Sequence, residues 1–258
     1  MNTSTKHYSS FYAALIKLRH SFIKLIAKVI DPLTPPGAIL WFAGVDFSNR
    51  YLEVAKELAS GSILDVGSGG QSALSLKGFD VTSIDIVCQN GDVDVIASAS
   101  HLPFKENTFG NVVSVDAIEH IPNNLREQTL RELRRVASEK VVIHCPLQRN
   151  NDFQARNCDL SLQEWLTGVH KTSYHFTDEH VNNVEPDPEL FLNSGFRVRG
   201  VSNAYLWLKC MALNFLHPKL PALCRLLAWS NFLLYKSENV NPPYWGAICT
   251  YVKSRVNP

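Results

Sequence analysis

From residue 62 to residue 145 short apolar runs take turns with polar stretches of helical period. The runs at 62–66, 81–85, 93–96, 111–116 and 140–145 are rich in Val and Ile, and each is bounded by Gly, Asp, Asn or Pro, a pattern that predicts strands. Stretches 70–77 and 123–137 predict helices, the second with Leu125, Leu130, Leu133 and Val136 along one stripe. Asn49 to Leu58 predicts a further helix ahead of the first strand. Strands alternating with helices imply an α/β fold whose mostly parallel sheet is covered on both faces.

The flanks follow other patterns. Phe11, Leu15, Leu18, Phe22, Leu25 and Val29 recur at steps of three and four, with Lys17, Lys24 and Lys28 opposite, so 11–30 predicts an amphipathic helix. Asp31-Pro32 and Pro35-Pro36-Gly37 end it. Beyond Pro146 the pattern loosens: 148–159 reads as loop and 160–169 as a short helix. Thr177-Asp178-Glu179 has the chemistry of a capped helix start, and Asp187-Pro188-Glu189 opens another helix that Gly195 closes. Segments 196–201 and 245–253 predict two strands that close the sheet edge as a hairpin. Between them 204–236 is strongly apolar, broken at His217-Pro218 and Pro221, and reads as a helical insertion. The expected division is 1–48 N-terminal helix and linker, 49–203 core, 204–240 insertion or lid, and 241–258 closing strand of the core.

Composition narrows the function classes. With 258 residues and 45% apolar side chains the chain can bury a full core. A net charge of +1 gives no global field for nucleic acid, and no nucleic-acid partner is expected. The six cysteines have no CxxC pair, which suits reduced core thiols in a cytoplasmic protein. Lys17, Arg19, Lys24 and Lys28 interrupt the first apolar stretch, so neither a secretory signal nor a membrane span is expected there.

The candidate chemistry lies in 62–120. Ile63-Leu64-Asp65-Val66-Gly67-Ser68-Gly69-Gly70 is a strand ending in a carboxylate and a glycine-rich turn, which lets a ligand approach the backbone. Asp65 would organise that turn and a ligand ammonium. Asp85 ends the next strand, where a carboxylate can accept from two ribose hydroxyls. A nicotinamide dinucleotide is the main competitor for such a sheet. Its fingerprint asks for glycine where Ser72 stands, and Asp65 beside the turn would repel a pyrophosphate. A ligand with a cationic end fits better.

The stretch resembles the class I S-adenosylmethionine-dependent methyltransferases, especially the group called methyltransferase type 11. The resemblance covers about Asn49 to Pro146. It rests on Leu64-Asp65-Val66-Gly67-Ser68-Gly69, Ile84-Asp85-Ile86, His101-Leu102-Pro103-Phe104 with Asn107-Thr108-Phe109, and Asp116-Ala117-Ile118-Glu119-His120-Ile121-Pro122. It implies a Rossmann-like sheet with an antiparallel last strand, and S-adenosyl-L-methionine as cofactor. It also implies that Asp65, Gly67, Ser68 and Gly69 line the methionine end, that Asp85 holds the ribose and that Ile86 flanks the adenine. Ser98 and Ala99 would lie beside the exocyclic amine, and Asp116 with the Glu119-His120 turn beneath the methyl donor. Gln71 and Ser98 depart from the family pattern, in place of a frequent glycine and the usual Asp. Ser98 can still bond the amine, so weaker adenine anchoring is expected.

His144, at the end of the fifth strand, is a candidate general base for an acceptor hydroxyl or else a structural histidine. His120 is likewise either a pocket residue or a satisfied capping histidine. His170, His175 and His180 lack the spacing to share one helical face, so no metal is expected. The acceptor is a small molecule or a glycan, and the tail 231–253 loosely resembles type 11 members of cell-envelope polysaccharide synthesis. An isoprenoid or quinone-type acceptor, or a non-catalytic binding module, is the alternative. Apolar residues in 204–236 together with the basic helix 11–30 suggest contact with the inner membrane surface; a lid or a dimer face fits the same composition.

Overall fold

The computed structural model describes residues 44–70, 72–77, 79–88, 93–170, 184–217 and 219–253. The helix expected over 11–30 and the helix start expected at Thr177 lie outside the described residues. The elements in chain order are α1 (Val45–Glu57), β1 (Ile63–Val66), β2 (Val81–Asp85), β3 (Val95–Ile96), β4 (Phe109–Val115), α2 (Asn123–Val136) and β5 (Ala137–Pro146). After these come α3 (Ala155–His170), α4 (Pro188–Asn193), β6 (Arg197–Asn203), α5 (Ala204–Asn214), α6 (Pro221–Leu234) and β7 (Tyr244–Val252).

The seven strands form one sheet in the order β3-β2-β1-β4-β5-β7-β6. Pairs from β3 to β5 are parallel, while β7 runs antiparallel to both β5 and β6. The chain order reverses between β1 and β4, so the carboxyl ends of β1, β2 and β4 open a crevice at the switch point.

Period-two alternation decides what faces each layer. Leu64, Val66, Val112, Val141, Ile143 and Cys145 pack on one face with Leu130, Leu133 and Val136 of α2 and Phe191 of α4. Ile63, Val113, Val115, Val142 and Ile248 pack on the other against Tyr51 and Val54 of α1. Asp65 and His144 fall in the second set by parity, and this puts two polar side chains inside the α1 layer.

Three expected elements differ from the prediction. The stretch after the glycine turn is a 3-10 helix, Ala73–Lys77, in place of an α-helix over 70–77. Ser72 explains the tight turn: its hydroxyl accepts from Leu74 N and its carbonyl from Ser75, local bonds that compete with an α-helical start. The helix expected from 49 begins at Val45, and the segment read as loop up to 159 is helical from Ala155. The predicted hairpin at 196–201 and 245–253 is present as β6 and β7, with β7 inside the sheet and β6 at the edge.

The insertion folds as two helices. Asn203 caps α5 by accepting from Tyr205 N and Leu206 N, and Pro221 opens α6 at its first turn. Trp207 of α5 stacks on Trp245 of β7 at 4.7 Å with an interplanar angle of 11°. Around that pair Cys158, Leu162 and Leu166 of α3 close a separate core. Among the described residues no helix is long and apolar enough to cross a membrane.

Candidate active site

The crevice beyond β1, β2 and β4 holds a cleft of about 590 Å³, within the size range of small-molecule and cofactor sites. Gly67, Gly69, Asp85, Ile86, Ser98, Ala99, Asp116 and His120 line it. Asp65, Ser68 and His144 are not on its wall.

Gly67 and Gly69 adopt left-handed φ of 77° and 64°. At Gly67 a Cβ would meet the Cβ of Ala117 at 2.4 Å, so only glycine lets this turn pass the β4 loop. At Gly69 nothing lies within 4 Å, which leaves the backbone open to the cleft. Asp85 does two things at once. Its Oδ2 accepts from Gly69 N at 2.8 Å and its Oδ1 from Val87 N at 3.1 Å, so the acid at the tip of β2 ties down the glycine turn. Its remaining lone pairs face the cleft and can accept from a diol. Beyond it Ile86 and Val87 are 69% and 52% exposed, an apolar wall suited to a flat base.

Behind that wall runs a hydrogen-bonded relay that the sequence did not suggest. Ser98 Oγ lies 3.0 Å from Ser100 Oγ, and Ser100 Oγ lies 3.0 Å from His101 Nδ1. Gln128 Nε2 donates to His101 Nε2 at 2.9 Å, which leaves Nδ1 to carry the ring proton and donate to Ser100. Ser98, where the family pattern has Asp, is thus held in place by its neighbours.

Asp65 is fully buried below the turn, and neither carboxylate oxygen has a hydrogen-bond partner of good geometry. Burial raises its pKa to about 6; the nearby Ser72 hydroxyl lowers it in part and the charge of Asp85 adds to the rise. An acid held this way gains from any cation that comes to rest at the turn.

At the tip of β4, Asp116 sits at φ 50°, a strained conformation for a non-glycine residue. Its carboxylate accepts from His144 Nδ1 at 2.6 Å and pairs with Arg50 of α1, which also meets Asp46 at 2.8 Å. Asp46 in turn accepts from Trp207 Nε1 at 2.5 Å. Arg50 and Asp46 carried no motif in the sequence; only the place of Arg50 on the helix predicted ahead of β1 pointed toward this layer.

His144 differs from a base facing an acceptor. It is fully buried, and burial first, then the Arg50 charge, push its pKa down to about 3. The neutral ring donates from Nδ1 to Asp116, while Nε2 lies against Gly246, where a Cβ would come within 3.0 Å. Its imidazole therefore meets Asp116 and has no opening to the cleft. His120, by contrast, is exposed at the cleft wall on the 3-10 turn Ile118–His120.

Among the described residues no group of three or more His, Cys, Asp or Glu is placed to hold a metal ion. His175, His180 and the side chain of His170 lie outside the described residues. The described cysteines are free, and burial pushes the thiols of Cys158 and Cys210 up to about 12 and about 11.

The residues present fit S-adenosylmethionine: a glycine turn open to a ligand, an acid at the ribose position, an apolar wall for adenine and an uncompensated carboxylate beneath the cationic end. Among known families, the one described as a methyltransferase domain, type 11, matches residues 37–145. No curated protein matches the chain. Solved structures of similar fold include a SAM-dependent methyltransferase from Thermotoga maritima, 14% identical, covering 80% of this chain and 88% of its own, with a TM-score of 0.45. A protein from Pyrococcus horikoshii is 16% identical, with 81% and 90% covered and a TM-score of 0.46. Phosphoethanolamine N-methyltransferase 2 from Haemonchus contortus, solved with S-adenosylhomocysteine, is 16% identical, with 80% and 53% covered and a TM-score of 0.47. Residues 37–145, which span the glycine turn, Asp85 and Asp116, thus match a methyltransferase domain.

Proposed function

We propose that this methyltransferase methylates a hydroxyl of a glycan or lipid-linked glycan acceptor of the cell envelope, with His120 as the base. The observation that carries the reading is the pairing, in one cleft, of the Gly67–Asp85 cradle with an exposed imidazole at His120. The glycan class draws on the likeness of the tail 231–253 to envelope polysaccharide enzymes.

When bound, S-adenosylmethionine supplies an electrophilic methyl group on a sulfonium. The chain's own work is to position and to exclude water. Gly67 and Gly69 admit the methionine end to the backbone, and Asp65 beneath them favours its ammonium. Asp85 accepts from the ribose hydroxyls, and Ser98 offers its hydroxyl to the adenine edge with Ala99 packed beside it. Ser68 keeps the turn compact; its hydroxyl is buried without a hydrogen-bond partner. Ile121 and Leu125 cover the cleft wall beside His120 and keep water from the acceptor. His120 brings an imidazole to the cleft wall and is the group there assigned to take the proton that an acceptor hydroxyl releases. His144 and Arg50 fix the Asp116 carboxylate from behind and act as positioning residues.

Incubating cell-envelope extract with protein and labelled methyl donor tests the acceptor class. Label in the glycan-bearing fraction, lost in His120→Ala, supports the reading. Label in the quinone fraction would replace it with the isoprenoid alternative, and donor binding without any labelled product would leave a binding module.

A further inference from the structure

We infer that α6 and the turn before it form a docking face for an anionic lipid surface. This deepens the reading above by saying where a lipid-linked acceptor would be met. The inner side of α6 is satisfied: Cys224, Ala228, Trp229 and Phe232 are buried against α5 and α1. Its outer side is uncovered among the described residues. Leu223, Leu226, Leu227 and Leu234, with Leu220 just ahead of the helix, fall within one helical face and are between 40% and 78% exposed. Leucines clustered in this way on an outer helix face make a contiguous apolar patch of the kind that marks an interaction site.

Charge selects the occupant. From Ala204 to Ser237 the chain carries Lys209, Lys219, Arg225 and Lys236 and no carboxylate; the next acid is Glu238. Lys219 and Lys236, both exposed, bracket the two ends of the leucine face. Apolar residues flanked by cations match the boundary between acyl chains and anionic headgroups. Two-fold pairing of the same face would set Lys219 of one copy against Lys236 of the other, which disfavours a second copy of this chain as the occupant.

Topology connects the face to the cleft. β6 runs parallel to β5, since each is antiparallel to β7, so α5 leaves the sheet at the edge where β1, β2 and β4 end. α1 spans the gap: Val45 packs with Phe232 and Trp229 of α6, and Arg50 meets Asp116 in the cleft. A bilayer under α6 therefore lies at the cleft edge of the sheet.

Co-sedimentation of the full chain with phosphatidylcholine vesicles, with and without phosphatidylglycerol, tests this. Expected is binding to the anionic vesicles that falls with added salt and that Leu226→Glu/Leu234→Glu weakens by about tenfold or more. S-adenosylhomocysteine affinity and melting temperature serve as the folding control, since both leucines are exposed and neither lines the cleft. If that control fails, Lys219→Glu/Lys236→Glu, which leaves every leucine in place, must weaken the same binding. Three results overturn the inference: no vesicle binding by the natural chain, binding that folded variants retain, or a dimer that the leucine substitutions dissociate in the absence of lipid. Vesicle binding and donor binding are separate readouts, so this proposal and the methyl-transfer reading fail independently.

Discussion

Asp65 and Asp85 stand at adjacent strand tips, yet their surroundings give them different tasks. Asp85 is half-exposed and already bonded to Gly69 N and Val87 N, so it braces the turn, and under the proposed function it also accepts from the ligand. Replacing it by Ala should weaken S-adenosylhomocysteine binding by about 10- to 100-fold, because a charged acceptor and the turn's anchor go together. Asp65 is enclosed, and its raised pKa fixes the sign of a pH effect. The native state holds this proton up to about pH 6 and the unfolded chain only to about 3.8, so stability is lost as pH rises between them. Asp65→Asn, which keeps the neutral form at all pH values, should therefore be more stable than the natural protein at pH 7, by on the order of 3 kcal/mol and with a higher melting temperature, and equal it near pH 3. The same substitution should weaken donor binding at pH 7 and flatten the rise in donor affinity expected of the natural chain from pH 5 to pH 7. Equal melting temperatures at pH 7 would refute an unpaired buried acid at this position.

At the element scale, parity along the strands explains both what was legible and what was hidden. Short Val- and Ile-rich runs identified five parallel strands, and Gly67, Gly69 and Asp85 could be placed at their ends because turn chemistry is local. Side-chain destinations across layers are not local. His144 looked like a group at the open carboxyl edge, but it shares the face of Val142 and turns into the α1 layer, where Asp116 and Trp245 enclose it. Asp46 lies ahead of the helix start predicted at Asn49 and Arg50 lies inside that helix, but the reach of Arg50 to Asp116 and of Asp46 to Trp207 had no signature. The Ser98–Ser100–His101–Gln128 relay joins a loop to α2, a pairing that no one-dimensional spacing encodes. Close packing of the last two strands yields its own test. A Cβ at Gly200 of β6 would lie 2.0 Å from the Tyr244 ring of β7, so Gly200→Ala should lower stability by about 1–3 kcal/mol with donor affinity unchanged. His144→Ala should lower both: it leaves a cavity and frees Asp116 from its strained setting.

For the whole molecule, the cleft is lined from the ends of β1, β2 and β4 and the segments that follow the parallel strands, with no residue of α3, α5 or α6 on its wall. The polar chain Trp207–Asp46–Arg50–Asp116–His144 joins α5, α1, β4 and β5, so the insertion is tied through α1 to Asp116 on the cleft wall. Under the proposed function acceptor choice falls to these added parts, whose sequence carries aromatics and leucines and no motif, and this is why the cofactor could be read from residues and the acceptor could not. The central claim concerns the cofactor, and calorimetric titration of S-adenosylhomocysteine into the natural chain and Asp85→Ala tests it most directly. The account predicts saturable one-to-one binding that the substitution weakens by about 10- to 100-fold while the melting temperature of the ligand-free protein stays within a few degrees. Absent binding by the natural chain, or equal affinity in both proteins, would contradict it.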